Sequence, residues 1–231
     1  KPTVLVELFT AQGCPSCPAA EKMLAELENQ QPFGEAELIT LAFHVDYWDG
    51  VGWKDEFAST LFTQRQRVYD RKFRTGKIYT PQMVVDGDIE FIGSKMDKAE
   101  KAVQRTIKNT KAKISLSIKD EKLKIKISNL PEHEDATVYL AYAENGINTR
   151  VKSGQNAGKD LENVSLVRNL NGLGRIMPNE NSFELETILQ IQKDWKRENL
   201  KFVVFIQENS RRNVIGVNGI EFPKSTEIAD K

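Results

Sequence analysis

A change in hydrophobic period near Thr110 divides the 231-residue chain and constrains what it can fold into. Before that point, strand-like apolar runs alternate with segments of helical spacing, in the predicted order β-α-β-α-β-β-α. After it, apolar residues recur at every second position, as in half-buried antiparallel strands. The pattern predicts an α/β domain over residues 1–111 and an all-β sandwich domain over residues 112–231.

Local signals place the elements of the first half. Val4–Phe9 and Leu38–Val45 are apolar, β-branched runs typical of buried parallel strands. Apolar spacing from Ala19 to Leu27 predicts the first helix. A second helix is predicted to begin near Trp53, and Ser94 is the predicted N-cap of a third.

The second half is predicted to consist of short strands separated by Gly, Asn, Pro and Asp turns. The strands are expected at residues 114–118, 123–127, 138–142, 183–185, 202–206 and 214–217. His133 lies in a turn-like segment and is expected to be exposed to solvent. We find no cluster of catalytic type in this half of the sequence.

Cys14 and Cys17 are the chain's only cysteines, and they lie where the first strand gives way to the first helix. A helix N-terminus stabilises a thiolate, and thiols so placed can titrate well below the value of about 8.5 for a free cysteine. Cys14 is therefore the expected nucleophile. Cys17 is placed to attack a mixed disulfide on Cys14 and release the product.

Two alternatives to a reactive dithiol remain open at this stage. The pair could be half of a zinc site, although there is no second cysteine pair and the two histidines, His44 and His133, lie in different halves. It could instead be a permanently closed structural disulfide, although so short a loop constrains the unfolded chain little.

The charge balance excludes some classes of partner. Lys plus Arg and Asp plus Glu are both 33, so bulk charge gives no reason to expect binding to nucleic acid or to an anionic membrane. No apolar run approaches the roughly 20 residues that span a bilayer.

The sequence begins at Lys1 without methionine and its two cysteines lie in one motif. We therefore expect a periplasmic or secreted protein from which a leader has been removed.

Four stretches of the first half resemble an uncharacterised secreted family with a thioredoxin-like fold, the domain of unknown function 1223. They are Val6–Pro18, Ala42–Asp49, Gly52–Asp55 and Tyr79–Gly87. A weaker similarity, in Gly154–Leu161 and Val164–Arg168, is to the sandwich that follows the thioredoxin fold in such bacterial proteins. The resemblance implies a thioredoxin-like N-terminal domain, but the family has no settled reaction.

The resemblance also implies roles for individual residues. Thr80-Pro81 precedes a predicted strand where thioredoxin-like folds have a cis-proline, so Pro81 is expected to lay its backbone beside the sulfurs, and Thr80 is expected to bind substrate there. The alternative is an ordinary proline at the start of a strand. Glu7 lies near the place of thioredoxin's buried acid and is our predicted proton shuttle for Cys17. The alternative is that Glu7 lies at an exposed edge of the sheet and has no part in the reaction.

The segment after the second predicted strand holds further candidates. His44 and Asp46 share a strand face at its carboxyl end, where α/β folds place ligands. His44 could act as acid or base, could join the two cysteines as a copper or zinc ligand, or could be a hydrogen-bonded core residue. Tyr47 and Trp48 could form an aromatic rim that holds a substrate polypeptide, or could pack the loop onto the next helix.

These observations lead to three hypotheses on function. The first is a thiol-disulfide oxidoreductase of the bacterial cell envelope that uses Cys14, Cys17, Pro81 and Glu7 and needs no further cofactor. Its partners would be exported protein thiols or disulfides, or a redox partner protein. The second is a module that binds or delivers copper through Cys14, Cys17 and His44. The third is a non-catalytic binding protein of the envelope.

Overall fold

Three α-helices and thirteen strands follow one another in the computed structural model, which describes residues 1–223. The helices are α1 (Cys17–Gln30), α2 (Thr60–Phe73) and α3 (Met96–Thr106). The strands of the first half are β1 (Thr3–Thr10), β2 (Glu37–His44), β3 (Gln82–Val85) and β4 (Ile89–Ile92). Those of the second half are β5 (Lys113–Lys119), β6 (Lys122–Ser128), β7 (Ala136–Glu144), β8 (Ile147–Arg150), β9 (Asp160–Asn163), β10 (Leu166–Ile176), β11 (Phe183–Ile188), β12 (Leu200–Glu208) and β13 (Val214–Glu221).

One eight-stranded sheet runs through both halves of the chain, in the order β13-β12-β7-β10-β2-β1-β3-β4. β1 and β2 pair in parallel over their whole length. The second half joins them where Leu166 of β10 pairs in parallel with Ala42 of β2. The amide of Ala42 donates to the carbonyl of Ser165 at 2.8 Å. A mixed α/β architecture with a large sheet is therefore confirmed.

The two faces of this sheet are covered by different layers. On one face, Phe9 and Phe43 pack with Phe62 and Tyr69 of α2 and with Phe205 of β12. On the other face, the apolar sides of α1 and α3 cover β1, β2 and β3. A three-stranded sheet, in the order β11-β6-β5, covers β7 and β12 on that same face. Alternating side chains of each strand thus enter different cores.

The predicted boundary between residues 111 and 112 remains a prediction. In the part of the chain that the structure describes, all three α-helices lie before it, and β5 to β13 follow it. The large sheet, however, continues from one half into the other. Among residues 1–223, no helix combines the length and apolar character that crossing a membrane requires.

Several local expectations differ from the structure. α2 begins at Thr60 rather than near Trp53, because Ser59 caps it by accepting a hydrogen bond from the Leu61 amide at 3.3 Å. The N-cap of α3 is Lys95, not Ser94. His133 is buried rather than exposed, since its two ring nitrogens contact the backbone carbonyls of Glu134 and Glu180.

Candidate functional site

Cys14 and Cys17 form a disulfide at the junction between β1 and α1, with their Cα atoms 5.4 Å apart. The helix begins at Cys17, while Cys14 lies in the preceding turn, so the expectation that both cysteines open the helix is correct only for Cys17. The Cys14 amide donates to the Ala11 carbonyl at 3.1 Å, and the Cys17 amide donates to the Cys14 carbonyl at 3.3 Å. These turns direct the Cys14 backbone toward the start of the helix.

Both cysteines are fully buried, with 0% of their surface exposed. The two residues between them, Pro15 and Ser16, are exposed. The Ser16 hydroxyl lies 3.6 Å from Sγ of Cys14. The disulfide is therefore close to the surface but closed to solvent.

Trp48 lies beside the cysteine motif. It packs against the core cluster that contains both cysteines, and a Cβ atom added to Gly13 would lie 3.5 Å from the Trp48 side chain. Its indole Nε1 donates a hydrogen bond to Oγ1 of Thr80 at 2.7 Å. Trp48 belongs to the 3₁₀ turn Asp46–Trp48 that directly follows β2. The structure thus brings Trp48 and Thr80 together beside the cysteine motif.

The Thr80–Pro81 peptide bond is cis, and Pro81 is buried. Gly93 lies between this segment and α1, because an added Cβ would meet Ala20 at 3.3 Å and Pro81 at 3.4 Å. The Gly93 amide also donates to the Pro81 carbonyl at 3.0 Å. Pro81 is therefore packed near the first turn of α1.

Tyr47 and Trp53 fix the same loop on either side of Trp48. The Tyr47 hydroxyl donates to Gln66 Oε1 at 3.1 Å, and burial raises the pKa of Tyr47 to about 12 despite this hydrogen bond. The Trp53 indole donates to Gln12 Oε1 at 2.9 Å. Both aromatic residues are half-buried, and a substrate-binding role for Tyr47 remains a prediction.

Glu7 is completely buried, so the alternative of an exposed edge is wrong. Its Oε1 pairs with Arg65 Nε at 2.6 Å, and its Oε2 accepts a hydrogen bond from the Tyr69 hydroxyl. The Arg65 guanidinium also lies 5.2 to 5.7 Å from the ring centres of four aromatic residues. Both carboxylate oxygens of Glu7 are thus engaged by Arg65 and Tyr69, and its role as a proton shuttle remains a prediction.

His44 belongs to a buried charged cluster behind the start of α1. Its Nδ1 contacts Oδ2 of Asp55 at 2.6 Å, and the same carboxylate oxygen accepts from the Gln12 amide at 2.9 Å. Glu21 of α1 accepts a hydrogen bond from Thr10 at 2.6 Å. Burial would lower the pKa of His44, but Asp55 and Glu21 raise it above its ordinary value.

Burial also affects the pKa values of the two acids of this cluster, Glu21 and Asp55. Burial raises the pKa of Glu21. It also acts to raise the pKa of Asp55, but His44 and the amides of Gln12 and Phe57 together leave that pKa below its ordinary value. Within residues 1–223, no group of three or more His, Cys, Asp or Glu could hold a metal ion. The predicted alternative ligand set of Cys14, Cys17 and His44 is therefore not assembled, because the cysteines are bonded to each other and His44 pairs with Asp55. Asp46 instead accepts from Thr60 and Thr63 of α2.

Two site residues escaped the sequence analysis. The sequence predicts that Asp55 lies at the start of a helix, and it places Asn156 only within a segment of weak family similarity. Asn156 is completely buried and donates to the carbonyls of Gln12 and Cys14, both at 2.8 Å. Only the family similarity around Gly154–Leu161 signalled that this segment matters.

Fold and site together define a mixed α/β protein with a Cys-x-x-Cys disulfide at the junction of its first strand and first helix. The chain belongs to the family described as "Protein of unknown function (DUF1223)", which matches residues 5–207.

Individual proteins give further comparisons. A thioredoxin from Methanocaldococcus jannaschii is 29% identical over 96 residues, which are 42% of this chain and 86% of that protein. The crystal structure of an Agrobacterium tumefaciens protein covers 97% of both chains with a TM-score of 0.78 and 23% identity, which shows the fold alone. A domain of the outer membrane lipoprotein Omp28 from Porphyromonas gingivalis covers 49% of this chain and 88% of that one at 12% identity. Its TM-score of 0.27 supports no argument.

Proposed function

We propose that this protein is a thiol-disulfide oxidoreductase that acts through Cys14 and Cys17. The observation that carries the proposal is the disulfide between these two residues at the β1–α1 junction. The similarity to a thioredoxin over 96 residues supports it. So does the position of the cis Thr80–Pro81 segment near the first turn of α1.

The reaction balances as two thiol-disulfide exchanges. In the reduced protein, the Cys14 thiolate attacks a substrate disulfide, forms a mixed disulfide and releases one substrate thiolate. The Cys17 thiolate then attacks Sγ of Cys14, closes the disulfide and releases the second substrate thiolate. Two electrons pass to the substrate, whose thiolates take up the two protons. A thiol reductant, either glutathione or a dithiol protein, returns the pair to the reduced form.

The location and the finer fold assignment are part of the same proposal. We place the protein in the periplasm or outside the cell, where its partners would be exported proteins with thiols or disulfides. We assign residues 1–111 to a thioredoxin-like unit and residues 112–231 to a β-sandwich unit. The absence of α-helix after α3 in the described residues supports the second assignment, as does the packing of the three-stranded sheet on β7 and β12.

One observation favours a second candidate function. Both cysteines have 0% exposed surface, as expected of a structural disulfide. The protein would then be a non-catalytic binding protein of the envelope in which the Cys14–Cys17 bond only stabilises a turn. The oxidoreductase proposal instead requires the buried sulfurs to become accessible to the substrate.

Equilibration with glutathione buffers separates the two candidates. For an oxidoreductase, we expect the native protein to be reduced and reoxidised reversibly without change in its circular dichroism. Cys17→Ser should accumulate a mixed disulfide with glutathione on Cys14. Cys14→Ser is the matched control and should form far less of it, because Cys14 is the proposed nucleophile and Cys17 the resolving cysteine. Reduction that occurs only together with unfolding would establish the structural disulfide.

A further inference from the structure

The segment Val151–Lys159 of the second half forms a closed loop against the cysteine motif. The Gly158 amide donates to the Val151 carbonyl at 2.8 Å, and the Val151 amide donates to the Lys159 carbonyl at 3.0 Å. Gly154 has φ +77° and fits closely against the first half, since an added Cβ would lie 3.2 Å from Gly52 and 3.3 Å from Trp53. This loop connects β8 to β9 and is therefore anchored at both ends.

Asn156 is the residue of this loop that reaches the redox motif. Its Nδ2 donates to the carbonyl of Gln12 and to the carbonyl of Cys14. Its Oδ1 accepts from Nζ of Lys159 at 2.8 Å, which fixes the orientation of the amide. Asn156 is itself 0% exposed, so water does not offer these carbonyls a replacement donor.

These two hydrogen bonds have an electrostatic consequence for Cys14. A carbonyl oxygen carries partial negative charge, and one of the two belongs to Cys14 itself. Donors that face such oxygens compensate this charge. The Cys14 carbonyl also accepts from the Cys17 amide at 3.3 Å, so loss of Asn156 would remove one of its two donors and leave part of its charge uncompensated. Uncompensated negative charge beside a sulfur disfavours the thiolate over the thiol.

We propose that Asn156 is a positioning residue for the redox reaction, which holds the Gln12–Cys14 backbone in place and favours the reactive thiolate of Cys14. The inference rests on the proposed oxidoreductase function and extends it. It assigns a part in the chemistry to the half of the chain that carries no cysteine. It also gives a physical role to the family similarity at residues 154–161.

The test is a pH titration of the reduced protein, followed by the ultraviolet absorbance of its thiolate. In Asn156→Ala, we expect the Cys14 thiolate to appear at a pH higher than in the wild type by about half a unit or more. Because less thiolate is then present, alkylation of Cys14 at neutral pH should slow by about threefold. Asn156→Asp keeps the size of the side chain and the acceptor for Lys159 but loses both N–H donors when ionised, so it should shift the titration in the same direction.

Asn163→Ala is the matched control, since Asn163 is also buried and its Nδ2 donates to the carbonyl of Ile147 at 2.9 Å. It should lower stability without moving the titration. Lys159 is exposed, so Lys159→Ala should fold even if the buried variants do not, and should give a smaller shift of the same sign.

A wild type whose disulfide opens only on unfolding would overturn the proposed function and this inference together. The inference alone would be overturned by another outcome. In it, the wild type exchanges with glutathione, but the Cys14 thiolate of Lys159→Ala and of each folded Asn156 variant appears at the same pH as in the wild type. A shift as large in Asn163→Ala as in the Asn156 variants would also overturn it, because the effect would then follow lost stability.

Discussion

Trp48 donates a hydrogen bond from its indole nitrogen to Oγ1 of Thr80, across 2.7 Å. This contact joins the loop after β2 to the residue that precedes Pro81. Both residues were predicted to bind substrate. In this structure they bind each other beside Gly13 of the cysteine motif, so we expect their contact to hinder access to the buried sulfurs.

Loss of this contact should speed reduction of the disulfide. Thr80→Val removes the acceptor and keeps the shape, and Trp48→Phe removes the donor. A hydrogen bond of about 1 kcal/mol corresponds to a rate increase of about fivefold. The rate is measured by trapping free thiols during reduction with a small dithiol. Tyr47→Phe, which removes the hydrogen bond to Gln66 from the same loop, should leave the rate close to that of wild type. Unchanged rates in Thr80→Val and Trp48→Phe would show that this contact does not control access.

Glu7→Gln should lower the free energy of unfolding by about 3 kcal/mol, because it leaves a buried guanidinium without its counterion. Burial works to lower the pKa of Arg65, and Glu7 and Tyr69 raise it above the ordinary value, so Arg65 stays charged. Urea denaturation measures the loss. Glu184→Gln breaks the exposed pair with Lys124 and should change little.

The same variant tests the predicted proton shuttle. If Glu7 is only the partner of Arg65, thiol exchange in folded Glu7→Gln should keep the pH profile of the wild type. Slower exchange confined to neutral pH would support the shuttle.

Stability should fall as pH rises through the titration of His44. The folded-state pKa of His44 is raised, so the folded protein holds this proton at pH values where the unfolded chain has lost it. The stabilisation is complete below the unfolded value of about 6.5 and is lost as pH rises through the folded value. The folded-state pKa of Glu21 is also raised, so its contribution to stability likewise falls as pH rises above its unfolded value of about 4.3.

Urea midpoints between about pH 6 and 9 test this expectation. His44→Gln should show a shallower decline than the wild type over that range. Equal slopes in the two proteins would contradict the assignment of the proton to the cluster of His44, Asp55 and Glu21.

Gly87→Ala should destabilise the protein by about 3 kcal/mol or more. Gly87 has φ +63°, and an added Cβ would lie 1.9 Å from the Arg212 carbonyl, so both strain and a backbone clash oppose the change. Gly76 has φ +76° with no atom within 4 Å of an added Cβ. Gly76→Ala should therefore cost only the conformational strain, about 1 kcal/mol. Thermal melting of the two variants measures the difference, and equal losses would show that the clash is relieved.

Strong local signals predicted much of the sheet. The apolar runs near Val4 and Leu38 correspond to β1 and β2, and Asp86-Gly87 connects β3 to β4. In each case neighbouring residues specify the conformation, through β-branched side chains or through a turn that requires positive φ. Such signals depend little on the rest of the fold.

β10 was missed although it lies in the middle of the large sheet. Its pairing with β7 is irregular between Val167 and Asn169 and again between Gly172 and Gly174. Each irregularity interrupts the two-residue period on which strand prediction relies. With β10 unseen, the sequence offered no sign that the two halves share one sheet.

The cysteine motif was visible in the sequence, but its burial was not. Trp48 lies 34 positions from Cys14 in the chain, and Asn156 lies 142 positions away. Contacts over such separations follow from the tertiary fold and leave no periodic pattern. The motif alone therefore predicts a reactive pair and does not predict that both cysteines are buried.

The parallel pairing of Leu166 with Ala42 limits how the chain can be shortened for study. A fragment that ended near residue 111 would expose the edge of β2 that pairs with β10. A fragment that began at residue 112 would expose the edge of β10 that pairs with β2. Bare strand edges recruit other chains, so either fragment should self-associate. Work on the cysteine pair therefore calls for a protein that retains both halves.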